Sequence, residues 1–94
     1  MKIQISDRAL RELQSIEEYW LSRGPSLYEE LTAALNEALL FLTETPYAGS
    51  PIERSTARKW RIGRTPFLLF YRVHSNILFV ARIRHERESW RRPH

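Results

Sequence analysis

Hydrophobic positions change their spacing along this chain, and the changes divide it into a strand, two helices and a run of strands. Lys2–Ile5 alternates polar and apolar residues, and Ser6-Asp7, both favourable helix N-caps, follow at once, which predicts a short strand running directly into a helix. Leu10, Leu13, Ile16, Tyr19 and Trp20 then recur at three- and four-residue steps up to Gly24-Pro25, a stop and restart signal. Ser26, with Glu29 three residues on, has the form of a capping box at the start of the next helix. Leu27, Leu31, Ala34, Leu35, Ala38, Phe41 and Leu42 mark that helix's buried face. The tight connection makes the two helices antiparallel.

Thr45-Pro46 ends the second helix, and 47–56, with Gly49, Pro51 and several small polar residues, has the composition of a loop. Beyond it the period becomes two. Within 57–62, Arg58, Trp60 and Ile62 fall on one face and Lys59 and Arg61 on the other; 67–73 is an almost continuous apolar and aromatic run. His74-Ser75-Asn76 breaks the run and 77–84 resumes it, so two hairpins give an antiparallel meander. Strict alternation along this last strand groups Ile77, Phe79, Ala81 and Ile83 on one face and Leu78, Val80, Arg82 and Arg84 on the other. The ending 85–94 keeps no period, and 86–94 is expected to be a flexible tail. The fold class is α+β in the order β-α-α-β-β-β, one domain over 1–94.

With 43% hydrophobic and 28% charged residues, the 94-residue chain is sized for one core. No apolar run approaches the roughly 20 residues of a membrane span, and MKIQISDRAL lacks the apolar stretch of a secretory signal, so a cytoplasmic protein with no membrane partner is expected. Absence of cysteine excludes disulfides and thiolate metal sites. The net charge of +4 hides a division: residues 1–53 carry four basic and nine acidic groups, whereas 54–94 carry eleven basic and two acidic. A cationic pole of this kind suits an acidic ligand, either nucleic acid or an acidic protein segment. Thirteen of the fifteen basic residues are arginine, which favours bidentate pairing with carboxylate or phosphate.

Little conventional chemistry is available. No serine sits in a glycine-flanked elbow, His74, His85 and His94 lack ligand spacing, and the three glycines are scattered, so a nucleophilic triad, a metal site and a phosphate loop are not expected, nor is a cofactor. One constellation stands out. Lys59 and Arg61, Arg72, and Arg82 and Arg84 lie on successive predicted strands and can meet across the sheet, with His85 or Glu53 as an acid-base group for a ribonuclease-type reaction. Most aromatic residues of this half are needed for the core, which leaves Trp90 in the tail as an interface anchor.

The element order, the loop TETPYAGSPIE, the segment RKWRIGRTPFLLFYRV and the ending ILFVARIRHERESW together resemble ParE-type toxins of the RelE/ParE superfamily. The specific features are Pro46 and Gly49, Arg61-Ile62-Gly63, Phe70-Tyr71-Arg72-Val73, and Ile83-Arg84-His85 followed by Arg87 and Trp90. The resemblance implies a type II toxin silenced by a cognate acidic, ParD-like antitoxin. ParE-type members act by binding DNA gyrase, RelE-type members by cutting messenger RNA on the ribosome. RelE-like nucleases usually end in a tyrosine or a histidine-tyrosine pair, whereas here His85 is followed by Glu86-Arg87 and no tyrosine comes after Tyr71. The expected activity is therefore non-enzymatic gyrase inhibition, with ribosome-dependent cleavage as the alternative. Target contacts are expected at Arg82, Arg84, Arg87 and Trp90, and antitoxin contacts at Leu13, Tyr19, Trp20, Leu31, Lys59, Arg61 and Arg72. A nuclease would use Glu53, Arg61, Arg72 and His85.

Overall fold

Ser6 is extended and its Oγ accepts the Ala9 N–H at 3.0 Å, so the first helix begins at its predicted cap. The computed structural model describes residues 1–87, and expectations for 88–94, Trp90 among them, lie outside the described residues. Helix α1 spans Asp7–Arg23 and α2 spans Pro25–Glu44, with Gly24 alone between them. At φ 151° Gly24 occupies backbone space that a Cβ disfavours, and its N–H closes α1 on the carbonyls of Trp20 and Leu21. The expected capping box does not form. Helix α2 starts at Pro25, Ser26 lies inside its first turn, and no side chain caps it; the fixed φ of a leading proline supplies the start instead.

The sheet has the order β1-β5-β4-β3-β2, comprising β1 (Lys2–Ile5), β2 (Ser50–Pro51), β3 (Arg58–Arg61), β4 (Phe67–His74) and β5 (Ile77–His85). The predicted meander is β3-β4-β5, and β1 joins it parallel to β5. The segment expected to be only loop contributes the two-residue β2, paired antiparallel with β3. Ser75 and Asn76 join β4 to β5 with φ 48° and 62°, the left-handed pair of a type I′ turn, which matches the natural twist of a hairpin.

One irregularity reorders the last strand. Phe70 pairs with Arg82 and Tyr71 with Val80, so Ala81 is an extra residue, a β-bulge. Strict alternation fails there. Leu78 and Val80 share the helix-covered face with Ile83 and His85, not with Arg82 and Arg84, because one inserted residue inverts every side chain after it. Unbroken alternation would have buried two arginines beside Leu78 and Val80. The bulge buries Leu78, Val80 and Ile83 together and turns both arginines out.

Leu31, Leu42, Ile62, Leu69, Tyr71, Leu78 and Val80 are the largest fully enclosed side chains, where the helices meet one face of the sheet. Four residues expected in the helical core are instead exposed: Leu10, Tyr19, Leu27 and Phe41. Each helix touches the sheet along a strip narrower than its apolar stripe, so the flanks of the stripe remain at the surface.

Candidate functional site

Strand register gathers the predicted cations on the sheet face opposite the helices. Arg61, Leu68 and Arg84 form one cross-strand row, Lys59, Phe70 and Arg82 the next, and Arg72 stands opposite Phe79. The guanidinium of Arg72 lies 5.8 Å from the Phe79 ring centroid. Lys59, Arg61, Arg72, Arg82 and Arg84 thus share one face, with buried Leu68 and Phe70 between the columns.

Two of these arginines also brace the fold. Arg82 donates through Nε and Nη2 to the carboxylate of Glu12 on α1, at 2.7–3.1 Å, and Arg84 Nε lies 3.9 Å from the same group. Glu12 accepts the Ile83 N–H at 3.1 Å as well, and Ser6 Oγ donates to the Ala81 carbonyl at 2.8 Å. Strand β1 accompanies β5 only as far as Val80, so these side chains satisfy the sheet edge where the backbone partner ends. Nothing in the sequence distinguishes Glu12 from the other carboxylates of the acidic half.

At the end of β5, Glu86 pairs with Arg61 at 2.5 Å, while Arg61 Nη1 also donates to the Thr65 carbonyl at 3.1 Å. Around this pair lies an opening of ≈ 500 Å³ lined by Ser50, Lys59, Trp60, Leu68 and the exposed Arg87. The pairing of Glu86 with Arg61 is invisible in the sequence, since 25 residues separate them.

His85 is on the other face. Its ring stands edge-on to Phe67 at 5.4 Å, beside a hollow of ≈ 630 Å³ that includes Ile16, Tyr19, Trp20 and Leu27. Glu53 is exposed in the turn between β2 and β3, and Arg72 lies four residues along β4 from the partner of Arg61, about 13 Å at the usual strand rise. Glu53, Arg61, Arg72 and His85 are therefore not brought together. Among the expected antitoxin contacts, Leu13 and Leu31 are core residues without usable surface, because they occupy the centres of the helical stripes. Tyr19 is exposed and Trp20 half-buried on the helix side; Lys59, Arg61 and Arg72 are across the sheet.

Residues 3–90 match the sequence profile of the ParE toxin of the type II toxin-antitoxin system parDE. The chain belongs to the ParE toxin family. Among solved structures it is similar to the chromosomal ParDE toxin-antitoxin system of P. aeruginosa, with a TM-score of 0.76 and 23% identity over 90% of this chain and 95% of that one. It is also similar to the E. coli RelBE toxin-antitoxin complex, with a TM-score of 0.59 and 21% identity over 87% and 92%. At these identities the two likenesses bear on the fold. No curated relative matches in sequence.

Several residues that carry the ParE resemblance have a structural task in this chain. The Tyr71 hydroxyl donates to the Pro46 carbonyl at 2.7 Å and accepts the Gly49 N–H at 2.9 Å. A Cβ on Gly49 would lie 2.6 Å from that hydroxyl and 2.9 Å from the Lys59 carbonyl, so the close approach requires glycine. Arg58 completes the clamp, donating to the carbonyls of Tyr47 and Gly49 at 3.1 and 2.8 Å. Burial raises the Tyr71 phenol above its ordinary 10.0, against the lowering effects of the Gly49 N–H and Arg58. Among the described residues no cluster of three or more histidines, aspartates or glutamates is arranged to hold a metal. None of the described helices is long and apolar enough to cross a membrane.

Proposed function

We propose that this ParE-family toxin inhibits DNA gyrase by binding rather than by cutting RNA, and that an acidic, ParD-like antitoxin silences it. The observation carrying this reading is the separation of His85 from Arg61 by the thickness of the sheet. General acid-base catalysis needs the proton-transfer group within hydrogen-bond reach of the phosphate held by the cations. The solved relative is described as a ParDE system, which supports a ParD-like partner here. The target contact is assigned to the end of β5 and the residues after it: Arg87, exposed there, and Trp90 lead the contact, with Arg82 and Arg84 on the supporting strand.

Purified protein is expected to inhibit supercoiling by gyrase, and Arg87→Ala and Trp90→Ala variants to lose inhibition while melting as the parent does. Unaffected supercoiling at saturating toxin refutes the gyrase reading. Ribosome-dependent cleavage of messenger RNA is the second reading, favoured by the two rows of cations around Leu68 and Phe70. It requires ribosome-bound message to be cut, and cutting to stop in Arg61→Ala and His85→Ala.

A further inference from the structure

Strand β1 leaves one side of its backbone without a partner. The Lys2 N–H donates to the Asn76 carbonyl at 3.1 Å and the Ser6 N–H to the Val80 carbonyl at 2.9 Å, so Lys2, Gln4 and Ser6 are the residues that bond to β5. In a parallel pair the intervening residues turn the other way. The N–H and C=O of Ile3 and of Ile5 therefore point away from β5 along the outer edge of the sheet, and no described residue bonds to them.

Elsewhere the sheet is protected against strand addition. β2 is two residues long and ends in Pro51, which has no N–H, and the part of β5 beyond β1 is closed by Glu12 on the Ile83 N–H and by Ser6 on the Ala81 carbonyl. β1 has none of these devices. Its pairing with β5 is unbroken from Lys2 to Ile5, with no proline and no bulge. Lys2 and Gln4 stand on the open face beside Ile77 and Phe79, while Ile3, 40% exposed, lies on the helix side with the half-buried Ile5. Unpaired donors and acceptors thus run beside an uncovered aliphatic side chain.

This edge complements itself. A two-fold axis at Gln4 sets Ile3 opposite the second copy's Ile5, and two outward-facing residues opposed in an antiparallel ladder exchange both hydrogen bonds. Gln4 then meets its own counterpart as a non-hydrogen-bonded pair on the open face, where the NH₂ of one side-chain amide donates to the carbonyl of the other. On the helix side Ile3 packs against the second copy's Ile5. We infer that two copies of this chain pair antiparallel through β1, with Gln4 on the two-fold axis, and join their sheets into one. A second copy fits better than an unrelated strand because one symmetry operation satisfies every outward group of Ile3 and Ile5 and covers Ile3 as well. The axis is perpendicular to the sheet, so all the helices stay on one side and the two arginine faces lie side by side on the other. A four-residue strand pair makes a small interface, of the reversible class below roughly 1,200 Å², so the dimer forms at high protein concentration. Nothing in it depends on the gyrase reading.

The chain has no cysteine, so single cysteines report the pairing in the whole protein. Across the axis the Gln4 Cα atoms are about 4.5 Å apart, inside the range of about 4.4–6.8 Å that a disulfide spans. Lys2 faces the second copy's Ser6 and lies about 13 Å from its own counterpart at the usual strand rise. In a glutathione redox buffer Gln4→Cys is expected to form a cross-linked dimer at least about tenfold faster than Lys2→Cys. Raising the concentration of the parent protein is expected to increase its sedimentation coefficient and to slow hydrogen exchange at Ile3 and Ile5, but not at Gln4, whose N–H already bonds to β5. Ile3→Lys, which places a charge on the edge, is expected to abolish both effects while melting as the parent does. Equal cross-linking of the two cysteine variants overturns the inference, and so does a sedimentation coefficient that stays monomeric up to millimolar protein. A dimer that leaves Ile3 and Ile5 unprotected uses another surface and overturns it too. Should Ile3→Lys fail to fold, the two cysteine variants still decide.

Discussion

Tyr71 is both a core residue and the anchor of the loop that follows α2. Tyr71→Phe keeps the ring but leaves the Gly49 N–H and Pro46 carbonyl without their partner. The expected cost is about 1–3 kcal/mol, seen as a fall in melting temperature of about 5–15 °C. The same phenol gives a pH signature. Its folded value is raised above 10.0, so the folded chain keeps a proton that the unfolded chain releases; this stabilisation is intact below pH 10.0 and is lost as pH rises through the folded value. Thermal melts of the parent should therefore decline more steeply above pH 10.0 than those of Tyr71→Phe. A melt profile identical in both proteins would refute this assignment. Pro46, Gly49 and Tyr71 were visible in the sequence as features of a resemblance; their mutual hydrogen bonds were not, because 22 to 25 residues separate the partners.

At the scale of elements, β5 depends on its bulge and on the side chains that replace β1. Glu12→Gln removes the charge from a group that accepts two donors of Arg82 and one backbone N–H. Because the pair is partly solvated, a loss of about 1–3 kcal/mol is expected by denaturant unfolding. Hydrogen exchange should accelerate first at Ile83. The β4–β5 turn can be improved: Asn76 at φ 62° occupies a position where glycine carries no steric penalty, so Asn76→Gly should stabilise by about 0.5 kcal/mol. A lower denaturation midpoint for that variant would show that the turn is not limiting. The start of α1, the meander and its turn were legible because they depend on local spacing and capping; the start of α2 was misplaced by one residue, since a leading proline and not a capping box sets it. The bulge at Ala81 was not, since its cause is the competing burial of Leu78, Val80 and Ile83 against a distant helix.

Over the whole molecule, an acidic N-terminal half and a basic C-terminal half fold so that some of the opposite charges meet, as Glu12 and Arg82 do. The exposed share of the cations is available for long-range attraction. Binding of an acidic antitoxin should consequently weaken as ionic strength rises from low to moderate, chiefly through slower association. Affinity unchanged over that range would rule out the electrostatic part of the partner reading. Arg61→Glu should reduce the salt dependence as well as the affinity, because it inverts one charge on the exposed rim of the interface.

Local periodicity determined the α+β order, the helical hairpin, the β-meander and the side of β3 on which Lys59 and Arg61 stand. Those features depend on repeats of 3.6 and two residues, which a sequence displays directly. Tertiary structure alone decided that Arg82 and Arg84 brace Glu12, that His85 faces the helices, and that Arg61 meets Glu86 at an open strand edge. Each of these depends on one inserted residue, one short strand or one distant carboxylate. Register and long-range pairing set such positions, and neither has a repeat to betray it.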